Sequence, residues 1–337
     1  MFHSLTQALR RVAWRFRDRH TPLLIGPWHE EIGTEILYWI PWLHQWRQTH
    51  QIAKDRLIII SRGGAGHWYD GGTAIELYDY WPKKDIRLQT YRRTATQQSV
   101  KQTLLSRQEL ALYETVAARL GLTRYGTVHP SVMYHDLRRW FEEREALRTM
   151  LGRLRFHPLP IPLLPLSVVV PDRFICVRFY QRHTFELQES VRDWCTQLVT
   201  ALAKHIPVVV IGSSIHHDDH MDLGFDGPNI VNLTDKFPNG HTLALESAVL
   251  AKSQGFVGTY GGTMQLALRL GKPCAGFYLH FRGTAFAHRV LTEWLALQLQ
   301  VPCFIGTPQQ AEFVRQIVSV PLDLPDLPTS SSSGGLV

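Results

Sequence analysis

One glycine-rich segment near the C-terminal end constrains the fold of this chain more than any other feature. An apolar run leads into the pair Gly261-Gly262, and a second apolar stretch ends in a Gly-Lys-Pro turn at residues 271–273. Adjacent glycines let the backbone bend tightly and approach a ligand closely. The segment therefore predicts a buried strand, a tight turn, a short helix capped by Thr263, and a further strand over residues 274–278.

The start of that short helix predicts an anion site. The first N–H groups of a helix lack intrahelical partners, and the positive end of the helix dipole lies there. Ligands of parallel α/β sheets also bind beyond the carboxyl ends of the strands. We therefore expect a phosphate or diphosphate at this turn. The backbone of Gly261, Gly262 and Thr263 would contact it.

Aliphatic runs typical of strands alternate with helical patterns along the chain. This rhythm predicts an α/β fold with two Rossmann-like domains, each built from βαβ units around a parallel sheet, facing a cleft. Two domains suit 337 residues, because single cores stop growing at roughly 250–300 residues. The predicted strands cover residues 22–25, 56–61, 85–88, 174–179, 207–211 and 230–232. The predicted helices cover residues 35–48, 107–120, 135–150, 187–205 and 242–252.

A proline-rich stretch at residues 157–165 divides the chain, because it can continue neither a helix nor a central strand. We read it as part of an extended linker between the two domains. The predicted divisions are a basic amphipathic helix at 1–20, an N-terminal Rossmann-like domain at 21–156, the linker at 157–170, a C-terminal Rossmann-like domain at 171–325, and a disordered tail at 326–337.

The first twenty residues predict an amphipathic helix with arginines over much of its surface. Such a helix can lie on an anionic membrane surface or pack on its own domain, and the sequence leaves both interpretations open. No apolar stretch is long enough to span a bilayer, and no signal-peptide pattern is present. We therefore expect a cytoplasmic protein, at most peripheral on the inner face of the membrane.

Charge and cysteine content narrow the choice of partners and cofactors. The net charge of +7 favours anionic partners, but the basic residues form no recognisable nucleic-acid motif, so no specific nucleic acid is expected. The His-Asp cluster at residues 216–220 has metal-ligand chemistry but lies in a polar loop, which favours a solvated loop over a metal site. Reduced core thiols are expected at Cys176, Cys195, Cys274 and Cys303.

Cationic side chains end or follow the strand predicted over residues 174–179. Arg178 lies inside the strand, where a charge must either pair with a carboxylate such as Glu246 or reach the ligand cleft. Arg182 and His183 come just past the strand, where ligands of parallel sheets bind. Arginine also suits bidentate contacts with phosphate.

The loop after the first strand carries the candidate residues of the other domain. Glu31 would face the cleft, Gly33 would let a substrate approach the backbone, and Trp28 is a candidate ligand contact. A rival interpretation is that the acids here merely stabilise the first turn of a helix through its dipole.

Other N-terminal residues divide into ligand candidates and core candidates. Arg62 and His67 follow the second strand and could contact a substrate or its phosphate. Trp39, Trp42 and Trp46 recur at helical spacing, which predicts core packing rather than a stacking platform for sugars.

Two segments carry a family resemblance. Residues 242–278, with Phe-Val-Gly-Thr before the glycine turn, resemble the donor-binding segment of GT-B glycosyltransferases and are most similar to the heptosyltransferase-like inverting group. Residues 26–42, with Glu-Ile-Gly-Thr-Glu at 31–35, resemble the N-terminal motif of bacterial glycosyltransferases. The turn at residues 260–265 lacks the His and the Asp/Ser-Gly-Pro pattern found in heptosyltransferases.

The resemblance implies a GT-B glycosyltransferase with an N-terminal acceptor domain and a C-terminal donor domain. It would transfer a sugar from a nucleotide-diphosphate sugar to a hydroxyl of a glycan or glycolipid acceptor, with inversion and with neither metal nor other cofactor. In such a reaction a base takes the acceptor proton, while cations and N–H groups stabilise the leaving diphosphate.

The implied roles divide between the two domains. The catalytic residues would be Glu31 as the base, with Arg182 and His183. The donor site would comprise Arg178, Arg182, Glu246, Gly258, Thr259, Tyr260, Gly261, Gly262 and Thr263. The acceptor site would comprise Trp28, Gly33, Arg62 and His67. Two other functions stay open, namely a GT-B-like sugar-nucleotide epimerase and a non-catalytic module that binds a nucleotide sugar or nucleic acid.

Overall fold

The computed structural model describes residues 20–81, 102–161, 168–212, 221–237, 242–280 and 284–314. Several expectations lie outside these ranges. They concern the N-terminal helix up to residue 19, the strand at 85–88, the middle of the linker, the His-Asp cluster at 216–220, and the tail at 326–337.

The N-terminal domain contains a sheet of four parallel strands in its described part, in the spatial order β3-β2-β1-β4. Leu23 lies opposite Leu57 on one side and Gly126 on the other, which sets the register of the central strand. The aliphatic central strands are buried, as parallel strands covered on both faces must be. The strands are β1 (Leu23–Ile25), β2 (Leu57–Ser61), β3 (Thr73–Glu76) and β4 (Gly126–Val128).

Tryptophans form much of the core beneath this sheet. Trp39 stacks on Trp42 at 5.3 Å between ring centroids, and Trp42 stacks on Trp46 at 5.9 Å, which confirms the predicted core packing.

The helix expected at 35–48 is present, but a π-helical turn at Glu35–Trp39 separates two α-helical parts. The helices of this domain are α1 (Ile32–Thr34), α2 (Ile40–Thr49), α3 (Arg107–Arg119), α4 (Pro130–Asp136), α5 (Arg138–Phe141) and α6 (Leu147–Arg153).

The single helix predicted at residues 135–150 is wrong. Three short helices, α4, α5 and α6, occupy this region instead. The chain leaves helical geometry after α5, where Glu143 adopts a positive φ of 57°. A left-handed residue of this kind cannot continue a right-handed helix.

The C-terminal domain contains a parallel sheet with six strands in its described part, in the order β10-β9-β8-β5-β6-β7. With the N-terminal sheet it confirms the predicted fold class of two α/β domains with parallel sheets. The strands are β5 (Ile175–Arg178), β6 (Val208–Val210), β7 (Ile230–Asn232), β8 (Phe256–Thr259), β9 (Cys274–Phe277) and β10 (Cys303–Gly306). The helices are α7 (Glu189–Ala203), α8 (Thr242–Lys252), α9 (Gly262–Arg269) and α10 (Thr284–Leu299).

The two domains touch through their carboxyl-end loops and the helices that follow them. The backbones of Gly33 and Gly262 pack together, and a Cβ added to Gly33 would lie 3.6 Å from the Gly262 Cα. The Trp68 indole donates to Ser247 Oγ at 2.9 Å, and the Ala244 N–H donates to the Gly63 carbonyl at 2.9 Å. The carboxyl ends of the two sheets therefore face each other across a close contact.

Two further expectations concern cysteines and membranes. No disulfide joins any of the four cysteines, all of which the structure describes; three are buried and Cys303 is half-buried. None of the helices in the described ranges has both the length and the apolar character needed to cross a bilayer.

Candidate active site

The glycine turn at the end of β8 is built by close approach of neighbouring side chains. Helix α9 begins at Gly262 with Gly261 as its N-cap, so the predicted capping role of Thr263 is wrong. A Cβ on Gly261 would overlap Tyr180 Oη and lie 2.7 Å from Arg182 Nη1. Glycine here leaves room for a tyrosine hydroxyl and a guanidinium beside the first turn of α9.

Arg182 lies at this turn, and one nitrogen of its guanidinium group has no hydrogen-bond partner among the described residues. Its Nη1 donates to the Tyr260 carbonyl at 3.0 Å, which fixes the guanidinium beside Gly261. Its Nε has no hydrogen-bond partner within the described part of the chain. A half-buried guanidinium with a free donor next to a helix N-terminus is suited to bind an anion.

The pKa of His183 is affected by charged groups of both domains. Burial lowers the pKa of His183, the positive charges of Arg182 and His280 lower it further, and the Glu31 carboxylate acts in the opposite direction. Glu31 belongs to the N-terminal domain, so its influence on His183 crosses the domain boundary. Glu31 and Arg182, two of the residues predicted to be catalytic, thus both act electrostatically on the third, His183.

Arg178 pairs with carboxylates, which answers one of the questions that the sequence left open. It makes a bidentate ion pair with Asp222, at 2.9 Å and 3.0 Å, and its Nη1 lies 3.6 Å from Glu246 Oε2. Burial alone would lower the pKa of Arg178, but these two carboxylates together raise it. Nη1 also donates to Thr263 Oγ1 at 3.1 Å, so Arg178 holds the first turn of α9 in place.

Three of the predicted donor contacts serve the sheet instead. The Thr259 hydroxyl accepts from the Tyr180 N–H at 2.9 Å and donates to the Tyr180 carbonyl at 3.1 Å. A Cβ on Gly258 would overlap the Arg178 carbonyl oxygen, so this glycine allows β8 to pair with β5. The Tyr260 ring is buried, with its hydroxyl 3.3 Å from Thr292 Oγ1. These side chains therefore shape the turn from beneath and have no surface open to a ligand.

Glu31 stands apart from the other acids of its loop. It is exposed at the N-terminal end of α1, and its carboxylate makes no capping hydrogen bond with the described residues. Glu30, by contrast, accepts a hydrogen bond from the Tyr134 hydroxyl at 2.5 Å. Glu35 is buried, where it pairs with Arg62 at 2.8 Å and accepts from the Tyr69 hydroxyl at 2.5 Å.

Two predicted acceptor contacts are corrected by burial. Trp28 has 0% exposed surface, stacks on Trp39 at 5.8 Å, and donates to the Glu31 carbonyl at 3.4 Å, so it is a core residue under the loop. Arg62 is buried and its guanidinium donates to Glu35 and to the carbonyls of Trp28 and Glu30. It holds the loop rather than facing a substrate.

The other two predicted acceptor contacts lie at the domain boundary. Gly33 packs on α9, where a Cβ would lie 2.9 Å from Gln265 Oε1. His67 is half-buried, its Nδ1 lies 2.7 Å from the Gly64 carbonyl, and burial lowers its pKa. His67 belongs to a 3-10 helix, Ala65–Trp68, that packs against α8 of the other domain through Trp68.

A buried carboxylate beneath the Glu31 loop was not expected from the sequence. Glu109 Oε1 lies 3.1 Å from His29 Nε2 and 3.1 Å from His129 Nε2. Burial would raise the pKa of Glu109, but the two imidazoles outweigh it and hold this pKa well below its usual range. Gln102 connects the cluster to the loop by donating to Glu109 at 3.0 Å and to the Pro27 carbonyl at 2.8 Å.

This cluster had no signal in the sequence. His29 and Glu109 are eighty residues apart, and each alone fits an ordinary loop or helix position. Within the described ranges no group of three or more His, Cys, Asp or Glu side chains could hold a metal ion. Because His29 lies in the loop and Gln102 bonds the Pro27 carbonyl, the cluster supports the loop that presents Glu31.

Comparison with known proteins finds similarity in structure. No protein-family model and no curated protein sequence matches this chain. The iron-containing dodecameric glycosyltransferase TibC from enterotoxigenic E. coli H10407 superposes with a TM-score of 0.42 at 12% identity, covering 77% of this chain and 58% of its own. The family 9 glycosyl transferase from Veillonella parvula DSM 2008 has a TM-score of 0.42 at 10% identity, covering 90% of both chains. E. coli ADP-heptose LPS heptosyltransferase II has a TM-score of 0.38 at 11% identity, covering 83% and 99%.

Proposed function

We propose that this protein is a glycosyltransferase that moves a sugar from a nucleotide-diphosphate sugar to a hydroxyl of a glycan or glycolipid acceptor. The observation that carries the proposal is the packing of Gly33 on Gly262 at the domain boundary, where the charges of Glu31 and Arg182 both act on His183. Inverting transfer needs a base on the acceptor side and positive charge on the leaving-group side. Here each domain supplies one of these two requirements, at the carboxyl end of its sheet.

On the donor side, the half-buried guanidinium of Arg182 is proposed to bind the diphosphate. The first turn of α9 would add N–H donors and the positive end of its dipole. His183, whose pKa is lowered, would be neutral near pH 7 and could donate a hydrogen bond to a phosphate oxygen. With these groups the site would need no metal ion to neutralise the leaving group.

On the acceptor side, Glu31 is proposed to remove the proton of the attacking hydroxyl. Its carboxylate is exposed, while the neighbouring acids Glu30 and Glu35 are engaged with Tyr134 and Arg62. A rigidly held loop with one accessible carboxylate is a suitable platform for a general base. We further propose a cytoplasmic location, with residues 1–20 in peripheral contact with an anionic membrane that presents the acceptor.

Replacing Glu31 by glutamine tests the proposed base. We expect kcat for sugar transfer to fall by about 10²–10⁴-fold, the usual contribution of a general base. Donor affinity and the free energy of unfolding should not change, because the side chain is exposed. The matched control is Glu114→Gln, an exposed acid on α3.

Near-normal turnover in Glu31→Gln would remove Glu31 as the base. Incubating the wild-type protein with donor alone distinguishes the reaction class. A glycosyltransferase leaves the sugar nucleotide unchanged or slowly hydrolyses it, whereas conversion to an epimer would replace the proposal by the epimerase.

A further inference from the structure

A cavity lies at the other end of α9, away from the glycine turn. Its volume is about 340 Å³, and it is lined by α2, the segment after β2, and the start of the linker. Helix α9 has eight residues, so the cavity is separated from the Gly262 end by roughly 12 Å of helix. The basic residues that line it are His44, Arg47, Arg155, His157 and Arg269.

Arg269 is the most unusual of these residues, because its charge is buried without a counter-charge. Its residue surface is 2% exposed, and burial lowers its pKa to about 9. Nη1 donates to the Ile36 carbonyl at 3.1 Å, and the guanidinium lies 5.8 Å from the centre of the Phe156 ring. Among the residues that the structure describes, its Nε has no partner and no carboxylate acts on its charge. A buried arginine in this state is costly unless something else stabilises its charge.

The histidines of the cavity lie close together, and the pKa of each is lowered. The rings of His44 and His157 have centroids 4.3 Å apart. Burial lowers the pKa of both; His157 and Arg47 lower the pKa of His44 further, and Arg269 lowers that of His157. Asp70, which acts in the opposite direction on both, is itself paired with Lys54 at 2.5 Å.

The electrostatic balance of the cavity therefore favours an anion. Among the described residues that line it, three arginines oppose a single aspartate, and that aspartate already has a lysine partner. The rest of the wall is largely apolar and includes Trp68 and Tyr69. A volume of 340 Å³ is at the small end of the range for ligand pockets, which suits a phosphate group with a remainder about the size of a sugar.

We propose that this cavity is a second ligand site, which binds a phosphate monoester between Arg269, His157 and Arg155 with the rest of the ligand against Trp68. Guanidinium groups bind phosphate with paired, charge-assisted hydrogen bonds, and the ligand would supply the counter-charge that Arg269 lacks. The site does not depend on the proposed glycosyl transfer, since Arg155, His157 and Arg269, which would bind the phosphate, lie outside both the glycine turn and the Glu31 loop. The ligand is either a soluble sugar phosphate or the headgroup of a phosphatidate lipid, because both present the same monoester.

Glucose 6-phosphate is the first probe, measured by calorimetry with the full chain. We expect saturable binding to the wild-type protein. The double variant R155S/H157F should bind about tenfold or more weakly, since it loses two groups that contact the phosphate. Both replaced residues are exposed, so this variant is expected to fold. The matched control is R153S, which removes a half-buried arginine two residues away that pairs with Glu145 outside the cavity.

Two further measurements distinguish the cavity from the proposed donor site, and a soluble sugar phosphate from a lipid headgroup. R182A should bind glucose 6-phosphate like the wild type, and a loss there would assign the binding to the proposed donor site and overturn the second site. If the wild-type protein does not bind glucose 6-phosphate but co-sediments with phosphatidate vesicles, and R155S/H157F does not co-sediment, the ligand is the lipid headgroup. Equal behaviour of wild type and R155S/H157F with both probes would overturn the proposal.

Discussion

The two loops that meet at the domain boundary are fixed by different means. The N-terminal loop, residues 26–35, is anchored by buried charges: Glu35 pairs with Arg62, and Glu109 beneath the loop is held by His29 and His129. The C-terminal turn, residues 258–263, is anchored by glycine packing, by hydrogen bonds to the backbone, and by one charged side chain, Arg178, which donates to Thr263. The N-terminal loop leaves the Glu31 carboxylate without a described partner. The side chains next to the C-terminal turn that remain for a ligand are Arg182 and His183.

The difference teaches that the chain presents opposite charges from two loops at one domain boundary, where both act on His183. In the N-terminal loop every acid except Glu31 is committed to a described partner. In the C-terminal turn Arg178 is committed to Asp222, which leaves Arg182 and His183. The comparison therefore predicts that charge changes will damage the first loop most, whereas added volume will damage the second.

The largest effect is expected from Arg62→Met in the N-terminal loop. Removing the guanidinium leaves Glu35 as a buried and unpaired carboxylate, which should lower the free energy of unfolding by about 3–5 kcal/mol. Urea denaturation measures this loss. The double variant Arg62→Met/Glu35→Leu should recover most of it, because no buried charge is left alone.

Arg173→Met, an exposed arginine, is the control and should change stability by less than about 0.5 kcal/mol. If Arg62→Met cost under about 1 kcal/mol, buried charge would not be what anchors this loop.

An intermediate effect is expected from Gly261→Ala in the C-terminal turn. The added methyl group would overlap Tyr180 Oη and crowd Arg182 Nη1, so we expect a loss of about 1–3 kcal/mol from overpacking. Anion binding at the turn should weaken as well, because Arg182 is displaced. The control is Gly152→Ala in α6, where the new Cβ meets no described atom within 4 Å. That variant should be stabilised by about 0.5–1 kcal/mol, and an equal response of both glycines would contradict the role of close approach.

The smallest effect is expected on the titration of His183. Glu31 raises the pKa of His183 while Arg182 lowers it, so Glu31→Gln should lower this pKa further and Arg182→Ala should raise it. NMR titration of the His183 ring protons measures both changes, with Glu114→Gln as the unaffected control. If the pKa of His183 did not change in Glu31→Gln, the charge of the N-terminal loop would not act on His183, and the comparison of the two loops would be contradicted.

Strands with long aliphatic runs could be predicted from the sequence because burial on both faces leaves a continuous signal. Leu57–Ser61, Ile175–Arg178 and Val208–Val210 are of this kind. Thr73–Glu76 could not be predicted, because it is a partly exposed edge strand with a mixed sequence. Gly126–Val128 is too short to carry a pattern of its own.

A site residue could be predicted where its position after a strand determines its role. It could not be predicted where its role depends on a partner far away in the sequence. Arg182 and His183 follow β5 directly, and Glu31 follows β1, so the carboxyl-edge rule selects them. Asp222, the partner of Arg178, lies 44 residues away and is brought back only by the sheet. Trp28 was misplaced for the same reason, because its burial depends on the stacking partner Trp39 that α1 and the π-helical turn deliver.

The central claim, that Arg182 and the glycine turn bind the diphosphate of a nucleotide sugar, is tested most directly by calorimetry. UDP, GDP, dTDP, ADP and CMP are titrated into the wild-type protein and into Arg182→Ala, first without metal and then with Mg²⁺. The account predicts selective binding of one nucleoside diphosphate without metal, weakened about tenfold or more in Arg182→Ala by the loss of charge-assisted hydrogen bonds and unchanged in Arg173→Ala. Binding of none of the nucleotides, or equal binding by Arg182→Ala, would contradict it.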